Sequence, residues 1–250
     1  MPHSVKDHFQ GKTVPEHLKE ARIKGAKAVA EIHGTEISGK ASAFADSLKD
    51  TSLVLALLWF LLTPLLPEKQ KTTFFILFIV GWILWKIARS ACLGWARLLR
   101  LHRLIEEERW EIQHHREQER EELTAIYAAK GFEGELLTQV IDVLMADDNR
   151  LLEIMLDEEL GVPLEAYEHP LEQAFGAFLG TLFAAAFGFA GYFFLPSFGP
   201  LITLCFIFLM SGVFVAKIEK IAPIPSFIWN VAIFGFSLAS VYFLRQYFIA

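Results

Sequence analysis

The stretch TTFFILFIVGWILWKIARSACLGWARLL, Thr72 to Leu99, decides what kind of fold the chain adopts. It is a nearly continuous apolar run, longer than the roughly 20 residues a helix needs to cross the hydrocarbon core of a bilayer. Lys86 and Arg89 come towards its end, where such side chains extend to the head groups beside interfacial tryptophans. Composition points the same way. Apolar residues make up 54% of the 250-residue chain, phenylalanine occurs 23 times and mean hydropathy is +0.38. They are gathered in long runs, which indicates membrane spans rather than a globular core.

Working outward, four further runs appear. LVLALLWFLLTPLL (Leu53 to Leu66) is short by itself and reaches spanning length when its helix starts near Asp46 or Asp50. The others are PLEQAFGAFLGTLFAAAFGFAGYFFLP (Pro170 to Pro196), residues 199–216 and residues 227–248. The expected fold is all-α: five spans with a three-helix insert between spans two and three. The segments are then a polar N-terminal stretch (1–50), spans one and two (51–98), the insert (99–168) and spans three to five (169–250). Gly176, Gly180, Ala184 and Gly188 recur every fourth residue of span three, a ridge for close helix approach.

Cys92 and Cys205 lie inside apolar runs and outline no disulfide framework. The start, MPHSVKDHFQGKTVPEHLKE, has no apolar stretch of the kind a cleaved signal carries. Lys and Arg set the expected orientation. Residues 1–50 hold eight and residues 97–150 another eight, while the loop SFGP after span three holds none. The excess places the N-terminus and the insert in the cytoplasm and the C-terminus outside.

Between Leu101 and Glu168 stand 19 Asp plus Glu against six Lys plus Arg, a local charge of −13. Such a block attracts cations and repels nucleic acid. Residues 98–129 contain neither Gly nor Pro and predict helix, ended by Gly131. A second helix is expected over Glu133 to Met145, and a third from Asp148 as N-cap to the GVP at Gly161 to Pro163. Glu108, Glu111, His115, Glu119 and Glu122 are spaced three, four, four and three apart, one stripe on a straight helix. With a break near His115 they remain two Glu-x-x-Glu pairs. In the third helix Met155 and Glu159 are one turn apart. Carboxylates with a thioether or imidazole suit a first-row divalent ion, whereas Mg²⁺ and Ca²⁺ want oxygen alone. The competing reading is a solvated charged helix with weak surface pairs.

EREELTAIYAAKGF, MLDEELGV and HPLEQAF resemble the vacuolar iron transporter family, as does the order of two spans, an acidic insert and three spans. The resemblance covers residues 98–195. It implies that the insert binds Fe²⁺ or a related divalent ion such as Mn²⁺ through Glu108, Glu111, Glu119, Glu122, Met155 and Glu159. It also implies export of that ion from the cytoplasm, in exchange for protons, by a homodimer with its path at the subunit interface. The membrane half departs from the family's pattern. Asp50, in KDTSLVLAL, stands without the following Gly-Leu. In SACLGWARL, Ala91 and Trp95 replace the expected Met and Glu. Asp50 remains the expected path residue.

His114 and His115 have no assigned role, and His33 and Glu36, in EIHGTE before span one, are candidates for packing or contact with the insert. No P-loop, catalytic triad, HExxH or dinucleotide loop is present, so no enzyme is expected. Two functions stand: a divalent-metal transporter, or a membrane protein that does not transport and uses the insert for metal sensing, buffering or partner binding.

Overall fold

The run that begins near Thr72 forms part of one uninterrupted helix of 47 residues, about 70 Å long. The computed structural model describes residues 12–29, 39–162, 169–218 and 220–249. His33 and Glu36 lie outside them. All regular structure among the described residues is helical: α1 (Val14–Val29), α2 (Lys40–Leu62), α3 (Glu68–His114), α4 (Arg116–Ala129), α5 (Gly134–Leu144), α6 (Asp148–Glu158), α7 (Pro170–Phe194), α8 (Gly199–Ile218) and α9 (Pro223–Ile249). The chain divides into two units, residues 33–95 with 168–250 and residues 1–32 with 96–167. The apolar first part of α3 belongs to the former and its acidic last part to the latter.

In the apolar unit, α3, α7, α8 and α9 are long and apolar enough to cross a membrane. α2 has the length, 23 residues, but is not among those four. Its first half carries Lys40, Asp46, Lys49 and Asp50. The helix lies against α7, α8 and α9 and buries small and hydroxyl side chains, Ser42, Ala45, Ser47, Thr51, Ser52 and Ala56. A helix enclosed by protein needs no apolar surface all round. The expected small-residue ridge makes this enclosure tight. A Cβ on Gly176 would lie 2.2 Å from the Lys40 carbonyl oxygen, and one on Gly180 2.2 Å from that of Phe44.

The core of this unit holds Leu55, Trp59, Phe75, Leu204 and Phe208. Trp59 donates from Nε1 to the Ser197 carbonyl at 3.1 Å, and the Lys71 ammonium stands 4.3 Å from its ring centre. Asn230 donates to the Phe208 carbonyl at 3.2 Å, joining α9 to α8. Asp50 and Lys86 form an ion pair of 2.9 Å. Beside it, Trp82 Nε1 donates to the Thr51 hydroxyl at 3.0 Å. The outer faces of α3 and α9 remain apolar and exposed, with Leu77, Leu84, Trp229 and Phe236 among them.

The acidic unit is built on a core of Leu104, Ile112, Leu123, Ile141, Leu151 and Leu156. The continuous helix expected over residues 98–129 is broken at His115, whose φ of −128° and ψ of 36° leave the helical region. In a straight helix Ile112 and Leu123 would stand about 16 Å apart. The break lets both enter one core. The second insert helix follows the expected segment closely. The third is capped by Asp147 rather than Asp148: its carboxylate accepts from the Arg150 amide at 2.8 Å. Gly131 and Gly161, at φ 96° and 65°, end α4 and α6 in the left-handed conformation that favours glycine.

α1 is an addition to this unit that no apolar pattern announces. Ala21 is buried in the core, and Arg22 donates to the Glu158 carbonyl at 3.4 Å. Gly25 faces Leu160 so closely that a Cβ would lie 2.0 Å from its carbonyl oxygen.

Candidate metal centre

Glu108 and Glu111 occupy the last turns of α3, and Glu119 and Glu122 the first turns of α4. On a straight helix Glu108 and Glu119 would be separated by about 16 Å. Their carboxylate oxygens instead lie within 4.8 Å of one another, together with one from Glu159. The single straight stripe is therefore replaced by a bend at His115 that brings Glu119 of the second pair to Glu108 of the first. Ion pairs hold the second arm: Arg116 to Asp148 at 2.6 Å, and Arg120 to Asp142.

A second group shares Glu159. His17 of α1 places Nε2 3.6 Å from Glu122 Oε1 and 3.7 Å from Glu159 Oε1. Glu108, Glu119, Glu122 and Glu159 are all buried. Glu111 is half-buried and lines an open cavity with His17, Lys24, Glu108 and Glu159. Met155 is fully buried in the core, one turn before Glu159, whose amide donates to the Met155 carbonyl at 2.9 Å.

Burial is the largest cause of the electrostatics here, and the neighbouring carboxylates add to it. Glu119 is pushed up to about 11, by burial first and then by Glu108, Glu122, Glu159 and Glu111. Glu122 is pushed up to about 7, opposed by a hydrogen bond from Glu159 that favours its charged form. Glu108 and Glu159 are both held well above the ordinary carboxylate range, again chiefly by burial. Glu108 Oε1 is buried with no hydrogen-bond partner. A buried acceptor in that state costs stability unless something cationic or protic reaches it. A divalent ion bound by several carboxylates answers this need, and the donor set of oxygen and imidazole nitrogen suits first-row ions.

Of the residues expected from sequence, Glu108, Glu119, Glu122 and Glu159 come together, with Glu111 beside them. Asp50 belongs to the other unit, paired with Lys86. His114 and His115 turn to Trp110, with ring centres 4.4 and 5.4 Å from it. His17 is the residue that sequence reasoning missed. Its helix does carry a start signal in TVPE, where Glu16 accepts from the Thr13 amide at 3.0 Å.

The model of the VIT family, the vacuolar iron transporters, matches residues 100–245, more than half of the chain. The chain belongs to that family. The match takes in the last turns of α3, α4, α5, α6 and the helices from α7 into α9, while α1, α2 and the apolar part of α3 precede it. No curated protein matches the chain. Members of the VIT family are transporters and not enzymes, so this VIT chain is an integral membrane protein of a metal-ion transporter family.

Proposed function

We propose that this protein exports a divalent first-row ion, Fe²⁺ or Mn²⁺ in type, from the cytoplasm in exchange for protons. The buried cluster of Glu108, Glu119, Glu122 and Glu159, with Glu111 and Met155, is its capture site. One observation carries the reading: four buried carboxyl groups converge, and Glu108 Oε1 among them has no hydrogen-bond partner. A solvated charged helix does not bury its glutamates. Binding displaces the protons that burial keeps on these groups, so cation capture and proton release are linked at this site.

In this reading α2 serves as the first of five spans, its polar face covered by α7 and α8. The exposed apolar faces of α3 and α9 meet lipid or a second copy of the chain in a homodimer. The distribution of Lys and Arg puts the N-terminus and the capture site in the cytoplasm and the C-terminus outside. Asp50 is the carboxylate of the path.

The Asp50–Lys86 pair favours a second reading, in which the site senses or buffers metal and nothing crosses the membrane. Metal binding is common to both, so flux has to separate them. Purified protein in liposomes should accumulate Fe²⁺ when an outward proton gradient drives the exchange, and Glu119→Gln with Glu122→Gln should cut uptake at micromolar ion at least tenfold. Tight binding without any flux would decide for the sensor.

A further inference from the structure

We propose that α1 is a ligand arm: His17 supplies a nitrogen ligand, through Nε2, to the divalent ion held by Glu122 and Glu159. The inference rests on the reading of the carboxylate cluster as a cation site and adds to it a residue that precedes the region matched to the family.

The distances carry the argument. At 3.6 and 3.7 Å, His17 Nε2 is too far from both glutamate oxygens for a hydrogen bond, whose usual limit is about 3.2 Å. Two ligands about 2.1 Å from a tetrahedral ion stand roughly 3.4 Å apart. Nε2 therefore stands from each of the two oxygens at the spacing of two atoms that share an ion. The neighbouring Glu108 Oε1, buried and without a hydrogen-bond partner, independently marks the cluster as made for a cation.

The helix is shaped to deliver this ring. His17, Ala21 and Gly25 follow one another at four-residue spacing and so lie on one face of α1. Ala21 and Gly25 are small where the backbone comes close, and Gly25 meets the Leu160 carbonyl just beyond Glu159. Residues 12–29 also carry five Lys and Arg against two Glu, opposite in sign to the acidic residues 101–168. Lysines can balance that charge from the cavity wall, but they do not replace an ion between Nε2 and the oxygens. An imidazole ligand turns the site away from Mg²⁺ and Ca²⁺, which take oxygen, and towards ions of the Fe²⁺ to Zn²⁺ series.

Zinc is a suitable probe for the full-length protein in detergent. X-ray absorption at the zinc edge of the loaded wild type should show imidazole scattering, and His17→Gln should lose it with about tenfold or greater loss of affinity. Gly25→Val leaves the ring intact but displaces α1, and should lose the same signal. A wild-type spectrum without imidazole, or a His17→Gln spectrum that retains it, overturns the proposal. Should zinc binding survive His17→Gln unchanged and vanish in Glu119→Gln with Glu122→Gln, the arm falls and the cation site stands. Wild-type protein that binds no zinc at micromolar concentration removes both.

Discussion

Glu122 illustrates how burial stores free energy at single residues. Its carboxyl is raised from 4.5 to about 7, which means that the folded unit holds the proton more tightly than the unfolded chain does. The stability linked to this group is complete below its unfolded value of 4.5 and is lost as pH rises through about 7. Glu119, pushed up to about 11, has the same sign and keeps its proton across the physiological range. The metal-free acidic unit should therefore loosen between pH 5 and pH 8, and a divalent ion should restore it. Amide exchange of α4 and α6, measured with chelator and with zinc at both pH values, checks this; protection unchanged by pH without metal would contradict it. Glu122→Gln removes the ionisation cost and should stabilise the metal-free unit at pH 8 by on the order of 2 kcal/mol, while weakening metal binding.

At the scale of elements, the two Glu-x-x-Glu pairs were legible because three-residue spacing on a helix is a local property. A break near His115 was weighed from the spacing, but that it brings Glu119 to Glu108 was not legible. The break has neither Gly nor Pro to mark it, and Ile112 and Leu123 on its two sides share one core, which sequence periodicity does not encode. α1 escaped notice for the same reason: its place depends on Gly25 against Leu160, a contact 135 positions away in the chain. The small-residue ridge of α7 was legible, and its consequence is sharp. Gly180→Leu would force a Cβ to within 2.2 Å of the Phe44 carbonyl and push α2 off α7. It should lower the thermal midpoint of the purified protein by several degrees or abolish a monodisperse preparation. Gly81→Leu, at a position with nothing within 4 Å, serves as the control and should change neither.

For the whole molecule, the proposed transport rests on Asp50 and its surroundings in the apolar unit. α3 is one helix from the acidic Glu108 to the lysine at position 86, so a single element carries residues of both units. In the apolar unit Asp50 already has a cationic partner, the Lys86 ammonium at 2.9 Å. Lys86 is itself buried, whereas the Asp50 side chain is 56% exposed, so an arriving ion can reach the carboxylate while the lysine cannot leave it easily. On the proposed path, a metal ion at Asp50 would compete with this resident charge. Removing the lysine should strengthen the ion's hold on Asp50. Lys86→Met is therefore expected to lower the KM for Fe²⁺ uptake into liposomes several-fold, and Asp50→Asn to abolish uptake while leaving zinc binding at the Glu cluster intact. Uptake that persists in Asp50→Asn would move the path away from this pair. Loss of binding and flux together would instead mean that the substitution unfolds the protein, which the zinc stoichiometry of the same sample reveals.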